Sequence, residues 1–123
     1  MPSIRFWLIL SAAIFAAAAL IHFQVLMDGY DDPSAGIAES VIGGVLLLGF
    51  VLTLVLAKWT RQIAIIVQVF ALLGTFVGLT LLLTVGPSSG LDLTIHLVMI
   101  VVLAIGLTVA FRSRSPAEST ATD

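Results

Sequence analysis

The sequence predicts an all-α fold, a four-helix transmembrane bundle with up-down-up-down connectivity. Three observations lead there. Of the 123 residues, 60% are hydrophobic and only 10% charged, with a mean hydropathy of +1.22; an ordinary soluble domain carries about 25% charged residues. The apolar residues fall into four runs, each near the ~20 residues that cross a hydrocarbon core of about 30 Å. The polar residues gather between those runs in short connections, which forces consecutive helices to be antiparallel neighbours and lets the first and fourth touch. Backbone groups in lipid need internal partners, so helices satisfy these runs and open sheets do not.

The first span is expected over residues 4–27, the second over 36–57, the third over 62–85 and the fourth over 91–111. Residues 28–33, with three Asp and a Pro, close the first. Lys58, Trp59 and Arg61 close the second, the Gly- and Ser-rich stretch 86–90 the third, and Arg112 and Arg114 the fourth. The first run, with Arg5 ahead of it and alanines at 16–19, has some look of a secretory signal. Its apolar stretch outlasts the usual ~7–15-residue core of such a signal, so it reads as a retained helix. A single transmembrane domain thus occupies 1–112, and the Ser-, Thr- and acid-rich segment 113–123 reads as a disordered cytoplasmic tail.

All five basic residues (Arg5, Lys58, Arg61, Arg112, Arg114) fall at one set of span ends, while Asp28, Asp31, Asp32, Glu39 and Asp92 fall at the other. By the positive-inside rule both termini are cytoplasmic and the acidic ends lie outside, in an inner or plasma membrane. Trp7, Trp59 and Tyr30 suit the two interfaces. Five basic residues build no broad polycationic face, so nucleic acid is not an expected partner. The absence of cysteine removes disulfides, thiolate metal sites and thiol nucleophiles.

Lipid gives helices no hydrophobic reason to associate, so small residues that admit close approach are the packing marks. Gly74 and Gly78 form one such pair, Ser40 and Gly44 a second, Gly106 and Ala110 a third, and Ala12, Ala13, Ala16 and Ala17 make a smooth face on the first helix. Packing within the chain is weighed above a homodimer seam.

Ionisable groups inside a span are costly and mark candidate sites. His22 lies five residues before the end of the first predicted span and His96 five residues into the fourth, so both sit roughly 7 to 8 Å below the outer surface. Asp92 is one helical turn before His96, and Glu39 lies at similar depth on the second helix, with Gln24 and Thr94 nearby. Two imidazoles and two carboxylates are first-shell chemistry for a divalent metal ion such as zinc, manganese, iron or copper. Without metal, the same groups suit proton binding or exchange. Bis-histidine haem ligation ranks lower, because haem propionates call for Arg or Lys and this side has none. The plain alternative is that each histidine is neutral and satisfied by a neighbouring acid or carbonyl. Gln68, Thr75, Thr80 and Thr84 on the third helix would line a polar path or bond to neighbouring helices.

The segments AALIHFQVLMDGY (18–30) and GPSSGLDLTIH (86–96) resemble parts of uncharacterised small four-helix bacterial membrane proteins. The resemblance covers the span arrangement and the surroundings of His22, Asp92 and His96, and implies no activity. The chain does not resemble small multidrug exporters, which place a glutamate in the first span. The first expectation for function is therefore a non-enzymatic structural or accessory component, in contact with lipid and with other membrane proteins or a second copy. A metal-ion or proton binding or transport protein using His22, Glu39, Asp92 and His96 is the alternative, and a haem-binding protein the third.

Overall fold

The computed structural model describes residues 2–85 and 89–114. These residues are helical but for the connections and form four helices, each long and apolar enough to cross a membrane: α1 (Pro2–His22), α2 (Pro33–Val55), α3 (Thr60–Thr84) and α4 (Gly90–Arg112). A three-residue 3₁₀ turn, Ala57–Trp59, joins α2 to α3. Each helix packs on the next, and α1 closes the ring on α4, leaving the two diagonals, α1–α3 and still more α2–α4, with little contact.

Each helix turns one narrow stripe inward. On α1 the stripe runs Ile4, Leu8, Ser11, Ala12, Phe15, Ala18, Ala19 and His22, steps of three and four residues that keep one face of a 3.6-residue helix. On α4 it runs Met99, Leu103, Gly106 and Ala110. The outward residues, among them Phe6, Leu48, Ile66, Leu73, Val77 and Val101, are as apolar as the inward ones. That is the pattern of helices whose outer solvent is hydrocarbon.

Two helix starts are built by side chains. Asp32 Oδ1 accepts the Ala35 N–H at 3.0 Å and Pro33 opens α2, the pairing of an acidic cap with a proline that has no N–H to lose. Ser89 caps α4, where its hydroxyl oxygen accepts the Asp92 N–H at 3.1 Å. The opposite ends are finished across helices. The Arg5 guanidinium donates to the Thr53 carbonyl at 2.7 Å, in the last turn of α2, and Arg61 donates to the Ala110 and Phe111 carbonyls at 3.3 Å, in the last turn of α4. These carbonyls lie among the last four of a helix, which have no intrahelical donor.

The largest departure from expectation is the end of α1. The helix stops at His22, five residues short of the expected limit at Met27, so His22 occupies its final turn. Gln24 adopts φ +58° and Gly29 φ +91°, and the Val25 and Leu26 N–H groups both fold back to the Leu20 carbonyl. The Asp32 N–H then bonds the His22 carbonyl at 3.1 Å, closing the connection. At the reversal the Phe23 ring covers Gly36, where a Cβ would stand 2.8 Å from the Phe23 Cζ. An apolar run shows where a helix can form, whereas this contact joins the reversal to a residue of α2 that has no side chain.

The small residues also sort differently from expectation. Gly74 and Gly78 face inward, against Ile42 and His96 respectively, and Gly106 receives Trp7 and Gln68. Ser40 and Gly44, however, face outward; α2 packs on α1 through Gly43, beside Phe15, and on α3 through Gly49, beside Val67. Of the alanines expected as a smooth face, Ala12 is buried and Ala13, Ala16 and Ala17 are exposed. Part of the 86–90 connection, and the tail beyond Arg114, fall outside the described residues.

Candidate functional site

Three helices bring one side chain each to a single point. His22 ends α1 and is 3% exposed. Glu39 lies in the second turn of α2, three residues after Gly36 and three before Ile42, on the stripe that faces the bundle interior. Asp92 is in the first turn of α4, where the free N–H groups favour an anion. Its carboxylate is held by Ser89, whose hydroxyl donates to Oδ2 at 2.9 Å.

His22 bridges the two acids. Its Nδ1 lies 2.7 Å from Glu39 Oε2 and its Nε2 lies 2.9 Å from Asp92 Oδ1. Exposure of the side chains falls from 17% at Asp92 to 7% at Glu39 and 4% at His22, so Asp92 stands at the mouth and the other two behind it. Glu39 Oε1 is buried with no hydrogen-bond partner.

Proton counting constrains this cluster. A carboxylate only accepts, and a neutral imidazole has one donor and one acceptor. Two hydrogen bonds from the ring to two carboxyl groups therefore contain two protons. Either the ring carries both and the acids none, or the ring carries one and one acid the other. The net charge of the three side chains is −1 in both arrangements.

His96 stands beside this cluster and outside it. Its Nδ1 lies 2.8 Å from the Asp92 carbonyl oxygen. That oxygen can only accept, so Nδ1 carries a hydrogen. The ring then points at α3, where Nε2 would lie 3.1 Å from a Cβ at Gly78. Gly78 is thus the recess that admits His96.

Sequence reasoning named His22, Glu39, Asp92 and His96 as a group, and the structure places the first three in direct contact with His96 one turn away. Gln24 and Thr94 are elsewhere. Gln24 Oε1 accepts the Gly29 N–H in the α1–α2 connection, and Thr94 is exposed and bonded to the Gly90 carbonyl. Nor do the polar residues of α3 line a path or bond a neighbouring helix: Thr80 and Thr84 face out, Gln68 and Thr75 are buried, and all four donate to carbonyls one turn back in α3. Ser89 was missed as a site residue. A Ser three residues before an Asp at the start of an apolar run is the recognisable sign of a helix start.

Among the described residues, no group of three or more His, Asp or Glu side chains converges as metal ligands would. A metal ion or haem iron at His22 would have to displace a carboxylate from one ring nitrogen. The buried amide of Gln68 is the second polar feature of the interior. Its nitrogen donates to the Ala64 carbonyl at 3.1 Å while its Oε1, without a partner, abuts Gly106. Compared with known proteins, the chain matches no family model, no curated protein and no solved structure.

Proposed function

We propose that this chain is a four-span protein of the inner or plasma membrane, up-down-up-down with both termini cytoplasmic, that serves as a structural or accessory component rather than as a catalyst. The observation that carries this reading is the division of the molecule into an apolar exterior and an interior tied at both ends. Arg5 and Arg61 bind helix-end carbonyls at the basic end, and His22 joins three helices at the other. Gathering all five cations at one set of span ends supports the cytoplasmic placement of the termini.

Association through α2 follows from the same division. Two of the small-residue pairs are spent on contacts inside the bundle, whereas Ser40 and Gly44 remain outside, and a Cβ at Gly44 would meet nothing within 4 Å. A second helix could approach there as closely as α1 approaches Gly43. With Gly44→Cys in native membranes, mild oxidation is expected to give a disulfide-linked species of twice the chain's mass; for a partner other than a second copy, a bifunctional cross-linker replaces oxidation. Finding only the single chain under both treatments would remove the accessory reading and leave an isolated bundle.

A second reading, ion binding at the acidic end, is favoured by the buried, unpartnered Glu39 Oε1. Its most economical ligand is developed below.

A further inference from the structure

We propose that His22, Glu39 and Asp92 form a proton-binding site that exchanges with water at the acidic end of the bundle, taking up a third proton at Glu39 Oε1. The hydrogen-bonded cluster already holds two protons and a net charge of −1. Every oxygen and nitrogen that faces inward in it has a partner except Glu39 Oε1, in a residue 5% exposed. A bare anionic oxygen in so dry a place is expensive, and a neutral carboxyl is much less so. Adding one proton makes the three side chains neutral as a set without breaking either contact of His22. The imidazolium then donates from Nδ1 to Glu39 Oε2, now the carbonyl oxygen of a carboxylic acid, and from Nε2 to Asp92.

The route is short. Uptake breaks one O–H bond of hydronium, which leaves as water, and forms one O–H bond at Glu39 Oε1, while the two protons already in the contacts of His22 stay between the ring and the acids. Asp92, the most exposed of the three, marks the side from which hydronium arrives, and its carboxylate draws the cation toward the cluster. Release retraces the path, so binding and release use one face of the membrane.

The other charged or titratable groups around the cluster are few. His96 of α4 bonds the Asp92 carbonyl, and Asp32 of the connection gives its N–H to His22 and its carboxylate to the cap of α2. From α3 there is Gly78, and that helix carries no ionisable side chain beyond Arg61 at its far end.

The full chain reconstituted in lipid nanodiscs, acidified from about pH 8 to 5, provides the test. Infrared difference spectra are expected to show a protonated-carboxyl band that is absent from Glu39→Gln. In the unsubstituted protein, carbon and nitrogen resonance spectra are expected to move the Glu39 side-chain carboxyl signal while His22 keeps hydrogen bonds at both ring nitrogens. Asp92→Asn is expected to slow the exchange of that carboxyl with deuterated water at least tenfold. A carboxyl band that persists in Glu39→Gln, or a titration confined to His22 or His96 with a static Glu39 signal, would overturn the assignment. Because the resonance measurement needs no substitution, a variant that fails to fold does not obscure the outcome.

Discussion

His22 is the residue on which most of the interior chemistry turns, because it satisfies two carboxylates from two other helices at once. Removing one member of a buried ionic group is far more damaging than never having built it, since the remaining charges lose their partner in a medium that hydrates them poorly. We expect His22→Ala to lower unfolding stability in detergent by about 3–5 kcal/mol, read from the midpoint of a denaturant titration, and Glu39→Gln to cost less because an amide can still accept from the ring. Equal losses for the two would mean that charge is unimportant and that packing alone is felt. Gln68 offers a contrast: its buried Oε1 has no donor, so its place in the core rests on volume and on a bond to a carbonyl within its own helix.

At the scale of the helix, the arginines do more than mark a membrane face. Arg61 reaches two successive carbonyls in the last turn of α4, a fork that suits the planar guanidinium and not a single ammonium. Arg61→Ala is expected to cost about 1 kcal/mol and to speed amide hydrogen exchange in the last turn of α4. Arg61→Lys should recover little of that protection, and full recovery would show that charge without geometry suffices. The sequence reading located these arginines but saw them only as charges for orientation. What they grip depends on which helix ends meet, and that information is spread over the whole chain. The end of α1 was hidden for a related reason. Residues 23–27 continue the apolar run with Gln24 as their one polar residue, and the positive φ at Gln24 and the Phe23 ring over Gly36 that accompany the reversal are features no local apolar pattern announces. The nearness of His22, Glu39 and Asp92 was legible because a buried acid or imidazole contrasts with any apolar run. Which small pairs face inward was not, because in hydrocarbon both faces of a helix are apolar and the contrast that reveals a buried stripe in water is missing.

For the molecule as a whole, the collection of cations at one end and the His–carboxylate cluster at the other gives orientation a direct readout. A cysteine at Ser34 is expected to react with a membrane-impermeant thiol reagent from outside intact cells, and one at Gln62 only after permeabilisation. Both positions are exposed, whereas Thr60, two residues before Gln62, is buried and would stay silent in either orientation. The reverse labelling pattern would turn the molecule over and put the cluster in contact with the cytoplasm.

The contacts at the two ends also differ in how much of the chain must be present before they can exist. Arg5 needs only α2, and Arg61 needs only α4, so each hairpin can be fastened by its own arginine as it leaves the translocation machinery. The imidazole of His22 can meet Glu39 as soon as the first hairpin forms, yet its second nitrogen waits for Asp92, seventy residues later in the chain. The three-helix contact is therefore the last of these fastenings to close: only when α4 has docked does the second ring nitrogen find its partner.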